Sequence, residues 1–379
     1  MKFVCLFLLI IFMGKINAQS ICLLNADNFE SEIDGNKVCL FTLKNKNGCV
    51  AQFTNYGARW LSLWCVDKDG KWGDILLGFD SLSGYLNAAE SYHGAIVGRV
   101  CGRIGNATFH LNGKVYNLAA NDVLGGSSRN HLHGGVNGFH KKVWIGCEGV
   151  DSLGNNYVQF RYLSKDKEEG YPGNLNVTVR YTLKNDDTMR IDYWAQTDVP
   201  TLVNLTNHAF FNLSANPTQP VLNNIIQLNS IEYVECDKNL IPTGRILSLE
   251  DSLFNYIRPI PIGFPEIIGD NGIATSFVLR KKCDFVNDDF LLFALKLKDP
   301  ITRRTLSIFT NQPIIQLYNA WLMDGEDLGK NSIAYEANAG LALETQGYPD
   351  APNHSNFSDI EIYPHELYHH VTEYKFGVE

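Results

Sequence analysis

The chain has 379 residues, 45% of them hydrophobic and 12% aromatic, so it can bury a large core. Its formal net charge of -9 and its scattered lysines and arginines exclude the basic face that neutralises nucleic-acid phosphates. We therefore expect a small-molecule ligand and no nucleic-acid partner.

The N-terminus has the pattern of a secretory signal peptide. Lys2 is followed by an apolar run over residues 3–13, and Ala18 is the small residue before the expected cut. The run is too short to span a bilayer, which needs about 20 residues. We predict a signal peptide over residues 1–18 and a single domain over 19–379. The protein is expected to be secreted or held in a compartment of the secretory pathway, and not to contact the membrane after cleavage. The alternative is a buried N-terminal element.

Short apolar runs rich in β-branched and aromatic residues follow one another along the chain, separated by Gly, Asn, Asp and Pro. Residues 175–183 alternate with period two, which predicts a half-buried antiparallel strand. Asn112-Gly113 predicts a two-residue hairpin, and residues 69–70 and 184–187 are further turn candidates. Short helical turns are expected only around residues 81–89 and 366–368. The fold class is therefore all-β, a large antiparallel β-sandwich.

Two further features fit a secreted glycoprotein. Six Asn-X-Ser/Thr sequons, some of which must be unused, begin at Asn106, Asn176, Asn204, Asn212, Asn353 and Asn356. The eight cysteines that remain after cleavage are Cys22, Cys39, Cys49, Cys65, Cys101, Cys147, Cys236 and Cys283. An even number allows disulfides in an oxidising compartment, and free core cysteines are an equal alternative.

Five segments place polar or ionisable side chains inside apolar strand sequence. These are GAIVGRVCGRIG with Arg99 and Arg103, HLHGGVNGFHKKVW with His131 and His133, PTLVNLTNHAFFNL with His208, NQPIIQLYNAW with Gln316, and LALETQGYPDAPN with Glu344. A strand histidine is usually a hydrogen-bonded core residue, and a strand glutamate usually faces solvent. Glu344 fits that interpretation poorly because its neighbours are apolar. Burial is expensive for a carboxylate, and it raises the pKa as a general base requires.

Two other uses of these side chains are less well supported. His131 and His133, two residues apart on a strand, would point the same way and could chelate a metal, but no third ligand follows at a suitable spacing. No C-x-x-C pair and no G-x-S-x-G nucleophile turn occur. We therefore predict neither a metal nor a serine hydrolase.

Taken together, these segments resemble the aldose 1-epimerase (galactose mutarotase) family. The similarity runs from FTNYGARW at Phe53 to the C-terminal YPHELYHHVTEYKF, and its most specific pieces are LHGG, NLTNHAFFNL and LETQxxPDAPN. The resemblance implies a large antiparallel β-sandwich with a sugar-binding cleft. It also implies interconversion of the α and β anomers of an aldose without a cofactor.

The resemblance assigns roles to five residues. Glu344 would be the base that takes the proton of the anomeric hydroxyl, and His208 the acid that protonates the ring oxygen. Arg103 and His133 would line the sugar site, and Gln316 would contact hydroxyls.

Two positions depart from the family pattern. Gly102 stands where the family usually has Asn, and Ala274 stands where it has a sugar-binding Asp; the nearby Asp270 matches only with an inserted loop. One alternative is therefore an isomerase of this fold that acts on a different cyclic hemiacetal or related ring. Another is a non-catalytic secreted carbohydrate-binding protein. We expect a monomer or a weak dimer.

Overall fold

The computed structural model describes residues 21–123, 129–250, 252–263, 272–280 and 291–379. The predicted signal peptide, Asp270 and Cys283 lie outside the described residues. The boundaries predicted for the signal peptide and the single domain therefore stay predictions.

Two antiparallel sheets make up most of the described fold. The larger has nine strands in the spatial order Ile145–Val150, Asn156–Ser164, Leu175–Leu183, Thr188–Thr197, Tyr368–Val378, Arg304–Thr310, Leu292–Lys298, Ile225–Leu228 and Ile260–Pro261. The second has six strands in the order Phe210–Phe211, Leu341–Gln346, Ile314–Tyr318, Ala274–Leu279, Ser230–Cys236 and Pro242–Ser248.

Smaller elements complete the described chain. A four-stranded antiparallel sheet is formed by Leu40–Lys44, Val50–Thr54, Arg59–Val66 and Trp72–Asp74. Two-stranded ladders pair Ser31–Ile33 with Asn36–Val38, Ile96–Val97 with Thr206–Asn207, Arg103–Ile104 with His131–Leu132, Thr108–Leu111 with Lys114–Asn117, and Thr201–Leu202 with Glu361–Ile362. The helical elements are the α-helix Leu82–Asn87 and the 3-10 turns Ala26–Asn28, Gly105–Ala107, Phe139–Lys141, Glu168–Gly170, Val221–Asn223, Lys330–Ser332 and Ala351–Asn353.

The three larger sheets bury their inner faces in one hydrophobic core, which confirms the predicted β-sandwich. Trp60 of the four-stranded sheet is fully buried, and its ring lies 5.8 Å from Phe211 of the six-stranded sheet. The same indole lies 5.8 Å from Tyr374 of the nine-stranded sheet. Both contacts are edge-to-face, the arrangement that aromatic pairs favour. This side chain therefore links all three sheets.

Most local predictions are confirmed. The strand Leu175–Leu183 buries its odd-numbered residues, as the alternation predicts. Asn112 and Gly113, with φ of 50° and 74°, join Thr108–Leu111 to Lys114–Asn117 in a two-residue turn, and the second position needs a glycine-like conformation. The helix Leu82–Asn87 confirms the first predicted helical turn.

The second predicted helical turn is wrong. The chain turns at residues 364–365, and Tyr368 already begins the strand Tyr368–Val378. Pairing with two neighbouring strands of the nine-stranded sheet outweighs the weak local preference at residues 366–368.

The seven cysteines in the described chain are free thiols, and the sulfur atoms of Cys49 and Cys65 lie 4.0 Å apart. Among the described residues, no helix has the length and apolar character needed to cross a bilayer. The monomer or weak dimer expected from the sequence stays a prediction.

Candidate active site

One cleft, with a volume of about 140 Å³, is lined by the five residues to which the family resemblance assigns roles. These are Arg103, His133, His208, Gln316 and Glu344. The fold therefore brings together side chains that lie far apart in the chain.

The floor of the cleft is a row of side chains across the six-stranded sheet. Ser276, Gln316 and Glu344 lie opposite one another on three adjacent strands, so their side chains share one face. The Ser276 hydroxyl donates to the Gln316 side-chain oxygen. Within the described residues the amide nitrogen of Gln316 makes no hydrogen bond, so it can donate to a ligand.

The other residues reach the cleft from short ladders. Arg103 lies on the strand Arg103–Ile104, and His133 directly follows its partner strand His131–Leu132. His208 directly follows the strand Thr206–Asn207, and its own backbone N–H donates to the carbonyl of Ala95. These pairings fix the backbone on which the candidate catalytic side chains are carried.

Glu344 is a buried carboxyl group, 2% exposed, in an apolar strand. Its Oε1 lies 3.7 Å from Nε2 of His208, and its Oε2 is buried without a hydrogen-bond partner among the described residues. Burial, aided by the charge of Glu90 and opposed by that of Arg103, raises the pKa of Glu344 to about 8. The carboxyl therefore holds a proton more tightly than an ordinary glutamate does.

His208 shifts in the opposite direction. Burial lowers the pKa of its imidazole to about 3, and its Nδ1 is also without a hydrogen-bond partner in the described part of the chain. The ring of His133 stands perpendicular to that of His208 at 5.3 Å, and the ring of Tyr92 lies at 5.6 Å. At neutral pH these two shifts favour a protonated carboxyl beside a neutral imidazole.

His133 is fixed as a hydrogen-bond donor to the cleft. The backbone N–H of Gly102 donates to its Nδ1 at 3.2 Å, and burial holds the pKa of this histidine well below its ordinary value. The neutral ring must therefore carry its proton on Nε2. Its backbone has a φ of 50°, a conformation that non-glycine residues seldom adopt outside functional sites and tight turns.

The two glycines after His133 serve the fold. A Cβ on Gly134 would lie 1.8 Å from the carbonyl oxygen of Gly98, and a Cβ on Gly135 would lie 2.1 Å from the Glu169 carboxylate. Both also have a positive φ. Neighbouring protein atoms therefore explain the Gly-Gly pair without a ligand.

Arg103 is held by the carboxylate of Asp122, which no sequence pattern indicates. Its Nε donates to Oδ2 of Asp122 at 2.8 Å, and Asp122 is 2% exposed. Such a charge-assisted bond restricts a long side chain to one position. Asp122 therefore positions the guanidinium at the cleft.

Asp122→Asn is expected to raise KM about tenfold with little change in kcat, because a freed Arg103 would lose part of its binding to substrate. Steady-state kinetics measure both constants. Asp69→Asn, in an exposed turn, is the matched control. A fall in kcat at unchanged KM would contradict a positioning role for Asp122.

Two candidates from the sequence are structural. Arg99 is buried, and its guanidinium donates to the backbone carbonyls of residues 164, 165, 172 and 173. His131 contacts the Ala119 carbonyl through Nδ1 and the Tyr171 hydroxyl through Nε2, both at 2.8 Å. The prediction that His131 and His133 point the same way is wrong, because the ladder ends at Leu132 and His133 takes a positive φ.

The remaining wall of the cleft escaped the sequence analysis. It consists largely of Glu90, Tyr92, Leu240, Tyr318, Trp321 and Leu322. Most of these residues lie in turns without hydrophobic periodicity, so no local pattern distinguishes them. The Gln-Leu-Tyr run that drew attention to Gln316 could have indicated Tyr318 as well, since the two alternate with Leu317 along one strand.

The two departures from the family pattern lie in the cleft. Ala274 is opposite Tyr318 in the strand register and presents only a methyl group. Gly102 has a φ of 72°, and a Cβ there would meet the Cβ of Pro349 at 3.2 Å. An asparagine at position 102 would therefore require local adjustment.

A metal ion is a second ligand that the cleft geometry allows. Ligand atoms of His133, His208 and Glu344 all lie within 4.8 Å of one another. Two neutral imidazoles and a carboxylate are a donor set that zinc accepts. The expectation that no metal is bound stays a prediction.

A larger cavity of about 540 Å³ lies elsewhere, against Trp64, Trp72 and Arg304. Its buried cations are already engaged. Lys330 binds Asp74 at 2.5 Å, and the Arg304 guanidinium donates to backbone carbonyls. The acid–base chemistry described above therefore belongs to the smaller cleft.

The sheets and the cleft define a β-sandwich protein with a buried carboxyl–imidazole pair and hydrogen-bond donors in a site for a small polar ligand. The aldose 1-epimerase family matches residues 40–375. The chain is 36% identical over 327 residues to the galactose mutarotase of Homo sapiens, covering 86% of this chain and 90% of the human protein. The chain belongs to the aldose 1-epimerase family.

A bacterial relative and a solved structure agree with this membership. The aldose 1-epimerase of Haemophilus influenzae is 34% identical over 351 residues, covering 90% of this chain and 97% of that protein. The crystal structure of an aldose epimerase homologue from C. elegans superposes with a TM-score of 0.80 at 30% identity, covering 89% of this chain and 98% of that one.

Proposed function

We propose that the protein is an aldose 1-epimerase that interconverts the α and β anomers of a hexose by opening and reclosing the ring. The observation that carries this proposal is the buried pair of Glu344 and His208, 3.7 Å apart, at a cleft that Arg103 and His133 also line. Relatives named galactose mutarotase and aldose 1-epimerase support it.

The chemistry needs one proton removed and one supplied. The Glu344 carboxylate takes the proton of the anomeric hydroxyl as the His208 imidazolium protonates the ring oxygen. The bond between C1 and the ring oxygen breaks, and an open-chain aldehyde forms. Rotation about C1–C2 and closure on the other face give the second anomer. Arg103, His133 and Gln316 would hold the remaining hydroxyls.

The Glu344–His208 pair has one ionisation state that suits the start of ring opening and another that suits its end. At the start Glu344 is a carboxylate and His208 an imidazolium. At the end Glu344 is a protonated carboxyl and His208 a neutral imidazole. Both states hold one transferable proton and have no net charge. Burial favours the second form, which is the state left after ring opening. A bound sugar that donates to Glu344 and accepts from His208 favours the first. Ring opening then moves protons without creating net charge in the cleft.

The pair sets the expected pH dependence. We expect kcat/KM to be level through neutral pH and to fall about tenfold per pH unit above about pH 8, where Glu344 loses its proton and the pair has none to give to the ring oxygen. On the acid side, kcat/KM should fall only below about pH 3, where the Glu344–His208 pair takes up a second proton.

Exchange rates corrected for the buffer-catalysed reaction would measure this profile. Groups with ordinary pKa values would instead give a maximum confined between about pH 4.5 and 6.5, the usual values for a carboxyl and an imidazole. A decline that begins in that range would contradict the assignment of the pair.

Anomer exchange with pure protein tests the proposed function. NMR exchange spectroscopy on glucose and galactose reports transfer between the α and β C1 signals. Exchange no faster than in buffer for both sugars would reject epimerase activity on common hexoses.

The apolar part of the cleft favours a second candidate, an isomerase that acts on another cyclic hemiacetal. Ala274 and Gly102 provide no side-chain hydrogen bond, and Leu240, Trp321 and Leu322 add apolar surface. Each missing charge-assisted hydrogen bond weakens sugar binding by about 1.5–3 kcal/mol. Exchange of deoxy sugars or non-sugar lactols, with none for glucose or galactose, would select this candidate.

We also propose that the protein enters the secretory pathway and is glycosylated. The signal-like N-terminus supports this, and the exposed sequon residues are Asn106, Asn176, Asn353 and Asn356. Asn204 and Asn212 are 1% and 2% exposed, so a glycan on either is incompatible with the folded chain. N-terminal sequencing of the exported protein and mass spectrometry after glycan removal would test the proposal.

A further inference from the structure

Glu90 is a second carboxyl group in the lining of the cleft, besides Glu344. It lies in the turn between the helix Leu82–Asn87 and Tyr92, and the acid–base mechanism gives it no task. We propose that Glu90 binds a substrate hydroxyl and thereby sets which neutral aldose the protein accepts. This inference rests on the proposed function and adds a substrate class to it.

The turn that carries Glu90 is held from a distant part of the chain. The Asp327 carboxylate accepts the backbone N–H of Ala89 at 2.8 Å and that of Glu90 at 3.0 Å. Two charge-assisted bonds to one carboxylate fix the local backbone. Glu90 is therefore presented to the cleft in a defined position, as a recognition group must be.

The Glu90 side chain has an unused acceptor. Its Oε1 accepts the backbone N–H of Tyr92 at 3.0 Å, and its Oε2 has no hydrogen bond within the part of the chain that the structure describes. The side chain is only partly buried, so this oxygen is accessible from the cleft that Glu90 lines. A ligand hydroxyl could donate to Oε2 without displacing any protein hydrogen bond.

Glu90 lies close enough to Glu344 and Tyr318, two residues of the cleft wall, to influence their ionisation. Its charge contributes, after burial, to the raised pKa values of Glu344 and Tyr318. Tyr318 is opposite Ala274 and adjacent to Ala342 in the strand register, and both alanines offer only a methyl group. Glu90 therefore supplies a carboxylate acceptor near Ala274, Tyr318 and Ala342. Among these three side chains only the Tyr318 hydroxyl can form a hydrogen bond.

This arrangement selects a chemical class of substrate. Glu344 serves the anomeric hydroxyl, so Glu90 requires a second hydroxyl elsewhere on the ring. Burial raises the pKa of Glu90 to about 7, and above that pH its carboxylate repels an anionic substituent. The preferred substrate is therefore a neutral aldose, and its uronic acid or phosphate derivative is disfavoured.

Glu90→Ala tests the inference against a panel of the active aldose and its monodeoxy analogues. For the parent sugar we expect a rise in KM of about ten- to a hundredfold, because a charge-assisted hydrogen bond is lost. For the one analogue that lacks the hydroxyl bound by Glu90, the loss of kcat/KM from wild type to variant should be the smallest of the panel, limited to the effect of the Glu90 charge on Glu344. Glu326→Gln, on the exposed loop next to Asp327, is the matched control.

Glu90→Gln adds a charge-specific measurement. It keeps the shape of the side chain, and we expect it to raise kcat/KM for the corresponding uronic acid relative to that for the neutral sugar. An equal loss for every analogue, or no loss for any, would overturn the inference, since Glu90 would then act only through Glu344 or not at all.

Direct binding separates this inference from the proposed function. If wild type exchanges no sugar, calorimetric titration of the same panel with wild type and Glu90→Ala decides the matter. Binding that Glu90→Ala weakens for the parent sugar alone would support the hydroxyl site in a protein without epimerase activity. Absence of binding to every sugar would reject both.

Discussion

Replacing Glu344 by glutamine is expected to lower kcat for anomer exchange about 10²- to 10⁴-fold, the contribution typical of a positioned general base. Glutamine has nearly the same shape but cannot accept the proton of the anomeric hydroxyl. NMR exchange on the active sugar measures the loss. Glu148→Gln, on an exposed position of the strand Ile145–Val150, is the matched control and should leave kcat unchanged. Retention of more than a tenth of wild-type kcat would reject Glu344 as the base.

The same variant should be more stable than wild type in alkaline solution. The folded-state pKa of Glu344, about 8, is above its unfolded value of 4.5, so the folded state binds more protons between these pH values. Wild-type stability therefore falls as pH rises through this window, and glutamine does not titrate. By pH 8 the advantage of Glu344→Gln should be on the order of a few kcal/mol. Chemical denaturation at pH 4.5 and 8 measures it, and a difference independent of pH would contradict burial as the cause.

The sheets could be predicted where a pattern repeats along one segment. Residues 175–183 alternate because one face of their strand packs into the core, and Asn112-Gly113 marks a turn because both residues take a positive φ. The start of the strand at Tyr368 could not be predicted in this way. Its pairing with the distant strands Thr188–Thr197 and Arg304–Thr310 determines it, and no local sequence records those partners.

The residues of the cleft could be predicted only where their local sequence distinguishes them. Glu344 and His208 are polar residues in apolar surroundings, and such a conflict between residue type and neighbours is visible in the sequence. Asp122 and Glu90 lie in irregular segments where a carboxylate is unremarkable. Their importance depends on contacts with Arg103 and Asp327, which only the folded chain brings to them.

The spacing of His131 and His133 wrongly predicted that their side chains point the same way. Two residues apart on a regular strand, they would share a face, but the positive φ of His133 turns its side chain into the cleft. His131 stays in a buried contact with Tyr171. The hydrogen bond from the Gly102 N–H to Nδ1 leaves His133 to donate through Nε2 in the cleft, where the family resemblance placed it.

His208→Asn is expected to lower kcat about 10²- to 10⁴-fold, because asparagine cannot supply a proton to the ring oxygen. Folding should survive, since the bonds that fix residue 208 are made by its backbone N–H to Ala95 and its carbonyl to Gly94. Stability at neutral pH should change little through ionisation, because burial keeps the wild-type imidazole neutral there. Exchange kinetics and thermal unfolding, with the exposed His110→Asn as control, measure these effects.

The double variant with Glu344→Gln shows whether the two residues act as one unit. An acid and a base that serve the same step lose most of the rate when either is removed, so the double variant should be little slower than the worse single variant. Multiplicative losses would contradict a concerted pair. Sugar binding retained in all three variants, with exchange in wild type no faster than in buffer, would instead identify a non-catalytic carbohydrate-binding protein.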